Sequence, residues 1–402
     1  MAVVRVGAAQ TANRTIPFRI GDAEVALRQV EKNLDSLVAL AERAADEGCQ
    51  VLAFPEDTLG TLEWQAGHRQ HQRDFLALAG DRMLSRFADV ARRRHLAIIC
   101  CNDLPGVGTG THIHNTAVLL GFDGNEIGRY LKVQPTLAER GDRVPGDAFP
   151  VFELAGVGTV GLCICYDMLF PETTRVLALN GAELVFHCTL GGASMGDADA
   201  DLAAFRTRAG DNFLYLVVAW RGGNSRIFGP KGQILAAAER GVDRLICADI
   251  DPQSGRDSGD ALGGTTQDFR ARLWRERNPA AYAVLVDPQP PALRRLAGVP
   301  VEDVATSGDR FAAALTTGTE AFDEGERWLQ AGNAARARAR FVELSAQFGT
   351  VWIGRAARER LARIDKAGGD GITRANLPPT RTATRCDRLG IGLDHDLILS
   401  IN

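Results

Sequence analysis

Thr159-Val-Gly-Leu-Cys163-Ile-Cys165-Tyr-Asp-Met-Leu-Phe-Pro171-Glu172 is the stretch on which the reading of the chain turns. Its first half is a short apolar run, the pattern of a strand buried on both faces. Pro171 then opens a helix expected over 172–180, with Glu172 in its first turn, where an acid suits the helix dipole. Glu172 is therefore read as a structural acid. A thiol, Cys165, is left where the strand ends.

The same alternation extends in both directions. Toward the N-terminus, strands are expected at 3–9, 51–54, 96–101, 115–122 and 126–133. The last two are joined by a turn at Asp123-Gly124-Asn125. Helical spacing of Val25, Leu27, Val30, Leu34, Leu37 and Ala41 predicts a helix over 22–47, and a second is expected over 81–94. Toward the C-terminus, strands are expected at 182–188, 214–220, 225–228, 234–238 and 245–250. Strands alternating with helices give an α/β class.

Two further polar residues sit at strand ends. Glu56 follows Val51-Leu-Ala-Phe-Pro55, and Lys132 closes the strand ending Arg129-Tyr-Leu. In an α/β sheet such ends gather at one edge and form a crevice. A thiol is a strong nucleophile as thiolate, and a carboxylate beside it can take its proton. A fixed ammonium stabilises the anion that develops when sulfur attacks an amide or nitrile carbon. The set needs neither metal nor cofactor.

The 402 residues are 45% hydrophobic and 24% charged, with a net charge of -4. No apolar run approaches the ~18 residues of a membrane span, and the balance lacks the basic footprint of a nucleic-acid binder. The N-terminus reads as a strand rather than a signal peptide. The eight cysteines contain no C-x-x-C pair. A reducing, cytoplasmic setting without disulfides is expected. Only four lysines occur, Lys32, Lys132, Lys231 and Lys366, against a large majority of arginines, which singles out Lys132.

Leu52-Ala-Phe-Pro-Glu56, Arg129-Tyr-Leu-Lys132 and Gly161-Leu-Cys-Ile-Cys165-Tyr-Asp-Met-Leu-Phe-Pro-Glu172 occur in the order found in the nitrilase superfamily of carbon–nitrogen hydrolases, which the chain resembles. The likeness continues through Arg208-Ala-Gly-Asp-Asn212 and Ser225-Arg-Ile-Phe-Gly-Pro-Lys-Gly232, and covers residues 3–285. It implies a four-layer αββα sandwich, with Glu56 as general base, Lys132 as transition-state stabiliser and Cys165 as nucleophile. Glu139 matches a second glutamate that positions substrate or lysine. The resemblance also implies at least a homodimer.

Cys165-Tyr166-Asp167 resembles the amidase and carbamoyl-amidase branch. Lys132-Val-Gln-Pro-Thr-Leu-Ala-Glu139 resembles the nitrilase form of the lysine loop. Amide or N-carbamoyl hydrolysis through a Cys165 thioester is favoured, because the groups beside the nucleophile act most directly. The alternatives are nitrile hydrolysis and a non-catalytic scaffold that keeps the fold. The expected partners are a small amide or carbamoyl substrate and water.

Alternation puts Cys163 on the same face as Cys165, one step deeper, as a packing residue. Asp57 competes with Glu56 for the role of base. His112 and His114 share a strand face, but with no further ligands around them a metal site is not expected. Tyr166, His187, Trp64 and Trp220, with His68 and Arg221, are candidate pocket walls.

Composition changes after the hydrolase domain, taken as 1–286. Residues 287–309 read as a linker. Residues 310–366 are helical, with Gly332 and Gly349 separating helices in the manner of one tetratricopeptide hairpin plus an extra helix. A lone repeat cannot bury its own face, so it is expected to pack on the catalytic body or on another chain. Residues 367–402 show no periodicity and are expected to be poorly ordered up to 397–401.

Overall fold

The computed structural model describes residues 3–106, 112–191, 198–238, 241–254, 268–349 and 351–369. Strands β1 (Val4–Gln10), β2 (Val51–Ala53), β3 (Ala97–Pro105), β4 (Ile113–Leu120) and β5 (Glu126–Leu131) belong to one sheet. Strands β6 (Val151–Leu154), β7 (Gly158–Ile164), β8 (Leu184–Thr189), β9 (Tyr215–Trp220), β10 (Arg226–Phe228) and β11 (Ile234–Ala237) form a second. β12 (Arg244–Ile250) returns to the first. The orders are β12-β1-β2-β3-β4-β5 and β11-β10-β9-β8-β7-β6.

Strand alternation builds the layers. On one face of the first sheet, Val6, Val51, Ala53, Ile99 and Leu119 meet Leu162, Phe186 and Val217 of the second. On its other face, Leu52, Phe54, Ile98 and Val118 pack under α1 (Ala23–Asp46) and α3 (Gln72–Arg94), which flank the short α2 (Leu62–Gly67). The outer face of the second sheet lies under α4 (Pro171–Leu179) and α5 (Ala198–Gly210). The result is the four-layer αββα sandwich.

Two local details explain where the elements begin. Asp22 caps α1, accepting from the backbone N–H of Glu24 at 2.8 Å, a bond worth about 1 kcal/mol. Helix α3 starts at Gln72 rather than near Asp81. Gly80 lies within it, packed close against Leu104. A Cβ at that position would lie 2.5 Å from Leu104 Cδ2.

Beyond the sheets come α6 (Phe269–Glu276), α7 (Pro291–Arg295), α8 (Val304–Ala313), α9 (Thr319–Gln330), α10 (Ala334–Phe348) and α11 (Trp352–Gly369). Helix α7 and the start of α8 at Val304 both fall inside the stretch read as linker. Phe322, Phe341, Phe348 and Ile353 form a separate core for α9–α11. Helix α8 and residues 314–318, which lead into this unit, pack on the two-sheet body at α2 and, for α8, at the 3-10 turn Glu139–Gly141. Residues 370–402, including the expected segment 397–401, lie outside the described residues. No described helix is long and apolar enough to cross a membrane.

Candidate active site

The backbone turns sharply at Cys165. Ile164, the last residue of β7, still faces the inter-sheet core, but Cys165 itself has φ +43°. A non-glycine residue in that region carries strain and persists only where its surroundings impose it. This turn corrects the expectation that Cys163 and Cys165 share a face. Cys163 points outward under α4 and α5, its Sγ 3.4 Å from His187 Nδ1. Cys165 leaves the strand, ends the alternation and packs against the inter-sheet side.

Asp167 holds the turn. Its Oδ2 accepts from Ile164 N at 2.9 Å and from Tyr130 Oη at 2.7 Å, and its Oδ1 accepts from Gln134 N at 2.8 Å. Tyr130 Oη in turn accepts from Val133 N at 3.2 Å. One buried carboxylate therefore ties the cysteine turn to the loop carrying Lys132. Burial raises that carboxyl to about 6, in spite of its donors.

Lys132 is buried at 2% exposure. Its Nζ lies 3.0 Å from Glu56 Oε1, and 2.9 and 3.0 Å from the two oxygens of Glu139. Asn115 Nδ2 donates to both acids, at 2.8 Å to Glu56 and 3.2 Å to Glu139. Leu190 N donates to Glu56 Oε2 at 3.2 Å, and Thr136 N to Glu139 Oε2 at 2.6 Å. Burial works against the ammonium, but Glu139 and Glu56 outweigh it and hold Lys132 protonated well above its ordinary range. Burial likewise opposes the Glu139 carboxylate, yet Lys132 pulls it down to about 2.

Burial pushes the Cys165 thiol up to about 12, and the negative charge of Glu56 adds to this while Lys132 and the Thr189 hydroxyl oppose it. At neutral pH the thiol is therefore protonated. Cys165 is thus a neutral thiol near the Glu56 carboxylate, and any attack by its sulfur requires the proton to leave.

Asp57, the rival base, is otherwise engaged. It sits at φ +49°, accepts from Thr61 N at 2.7 Å, and pairs with Arg221 at 2.8 Å. Arg221 also donates to the Asp57 carbonyl at 3.1 Å. These bonds turn Asp57 away from Lys132 and leave Glu56 facing it.

The sequence-selected aromatic and imidazole side chains separate. Tyr166 stays beside Cys165 in sequence, part-exposed and edge-on to Phe170 at 5.6 Å. Trp64 is instead a core residue under the helices, stacked on Phe75 and His68, with Nε1 donating to Ile20 O at 2.8 Å. His187 and Trp220 are buried around Phe205 of α5. Burial lowers His187 to about 3, so it is a neutral ring. Sequence reasoning missed Asn115, Thr189 and the latch made by Asp167. The visible signal was a polar residue interrupting each otherwise apolar run. Among the described residues no group of three or more His, Cys, Asp or Glu side chains is arranged to hold a metal ion.

The carbon-nitrogen hydrolase model matches residues 5–258. A probable nitrilase of Schizosaccharomyces pombe is 29% identical over 55% of this chain and 84% of its own length. An N-carbamoylputrescine amidase of Oryza sativa is 25% identical over 63% of this chain and 89% of its own. Among solved structures, an amidase of Nesterenkonia from the nitrilase superfamily superposes with a TM-score of 0.53 at 25% identity, over 69% of this chain and 95% of its own. With the matched region spanning more than half its length and the same two-sheet architecture beneath it, this chain belongs to the carbon-nitrogen hydrolase family.

Proposed function

We propose that the protein hydrolyses a small amide or N-carbamoyl compound through a thioester on Cys165. The observation that carries this reading is the Lys132 ammonium held between the buried Glu56 carboxylate and the part-buried Glu139 carboxylate, next to a thiol kept neutral at a strained turn. Glu56 takes the thiol proton as sulfur bonds to the carbonyl carbon. Lys132 stabilises the oxyanion, an interaction worth about 3 kcal/mol for one such donor. Glu56 returns the proton to the departing nitrogen, the C–N bond breaks, and the acyl group stays on sulfur. Water then attacks the thioester, Glu56 accepts its proton, and the carboxylic acid leaves as the thiol re-forms.

Amide is favoured over nitrile by the residues after Cys165; the names of the relatives include both nitrilases and amidases. The test is intact-mass detection of an acyl adduct across a panel of amides, carbamoyl compounds and nitriles. Adducts from amides or carbamoyl compounds in the native enzyme, absent in Cys165→Ala, are expected. Turnover in Cys165→Ala would refute the nucleophile. Turnover of nitriles alone would replace the substrate class.

A further inference from the structure

The turn that carries Glu139 is held from outside the hydrolase domain. It is a single 3-10 turn in a loop after β5, and α8 packs directly on it. The approach is close: a Cβ at buried Gly308 would lie 3.5 Å from Ala138 O, and a Cβ at Gly141 would lie 3.7 Å from Val304 Cγ1. Arg69, just past α2, joins the three parts. Its guanidinium donates to Asp309 Oδ1 at 2.9 Å and to the Gly308 carbonyl at 3.1 Å, and lies 3.6 Å from Asp142. On the inner side, Arg143 anchors the same turn to Asp103 at 2.7 Å and to Gln65 at 3.1 Å.

We infer that α8 and Arg69 form a clamp that positions the Glu139 turn, so that the C-terminal helices are part of the support of the active site. The inference rests on the reading of Cys165 and Lys132 given above. Glu139 makes two of the three carboxylate contacts to Lys132 Nζ. A shift of the turn therefore moves the ammonium relative to the reacting carbon. The matched family region ends at residue 258, so α8 is sequence added beyond it. Arg69 is a positioning residue: it touches the turn and α8, not the reacting atoms.

The experiment compares full-length Arg69→Ala, Arg69→Lys and Gly308→Val with the native chain, using p-nitrophenyl acetate in pre-steady-state acylation. Burst amplitude counts intact Cys165 sites, and the rate constant reports how well each site is set. The expected result is a rate constant lower by roughly 10-fold in Arg69→Ala and Gly308→Val, with the amplitude kept. Arg69→Lys regains part of the loss, because the charge remains while the fork is gone. Arg338→Ala, which breaks an exposed pair with Asp365 within the helices, leaves the rate unchanged. Rate constants within about twofold of the native value, or a loss confined to amplitude, would overturn the clamp. No Cys165-dependent burst in the native enzyme would instead sink the nucleophile reading on which it stands.

Discussion

Two kinds of buried ion cluster lie side by side in this molecule. Arg221 meets Asp57, and Arg143 meets Asp103, each a short pair at 2.8 and 2.7 Å. Lys132 meets two carboxylates at once. All three cations are largely buried, so burial does not separate the groups. Charge balance does. The arginines are balanced by their carboxylates: Arg221 faces Asp57, and Arg143 faces Asp103 and, at 3.4 Å, Asp142, which Arg69 also meets at 3.6 Å; the planar fork spreads its remaining donors over backbone and amide oxygens, which pins loops. The lysine cluster holds one positive charge against two negative ones and faces a neutral thiol. Surplus negative charge beside an acidic hydrogen is a proton acceptor; a matched pair is a staple.

That difference can be broken by exchange. Lys132→Met should cut the acylation rate by roughly 10³-fold. It should also destabilise the fold by about 3–5 kcal/mol, because two buried carboxylates lose their partner. Arg221→Met should cost similar stability, measured by urea unfolding, yet lower the rate per titrated site by less than about 10-fold. Equal rate losses in the two variants would erase the distinction.

A smaller effect sharpens it. Lys132 overcomes the effect of burial and holds Glu139 at about 2, below the ordinary 4.5. That contribution is complete above about pH 5 and is lost as pH falls through the folded-state value toward 2, a total on the order of 3 kcal/mol. Unfolding free energies across this window should fall more steeply for the native chain than for Glu139→Gln. Parallel curves would mean that the ammonium does not hold Glu139 down. The smallest change is expected for Cys163→Ala, with turnover within about twofold and a stability loss of about 1 kcal/mol. A loss of turnover there would contradict the separation of the two cysteine environments.

Much of the body was legible because strands buried on both faces leave unbroken apolar runs. Polar residues at their ends, Glu56, Lys132 and Cys165, stand out against those runs. Their convergence was legible from strand-end logic, and the distance from Lys132 to Glu56 agrees with it, while Glu139, which also meets Lys132, was legible only through the family resemblance. The turn at Cys165 was not legible. A positive φ at a non-glycine residue leaves no mark in composition, and alternation alone kept Cys163 and Cys165 on one face. Trp64, His187 and Trp220 were read as pocket walls because aromatic and imidazole rings suit binding sites. Large rings also suit the space between helix and sheet, which is where the chain uses them. Helix α3 was expected only over 81–94, whereas it runs from Gln72 and carries Gly80 in its interior against Leu104.

The pairing of β1 with β12 has a consequence for synthesis. Val4 through Gln10 are made well before Arg244 through Ile250, the strand that covers one long side of theirs. Until the ribosome has released those later residues, the nascent chain carries an open hydrogen-bonding ribbon that invites wrong partners. Completion of the first sheet is therefore a late event, governed by the closure of a very long loop.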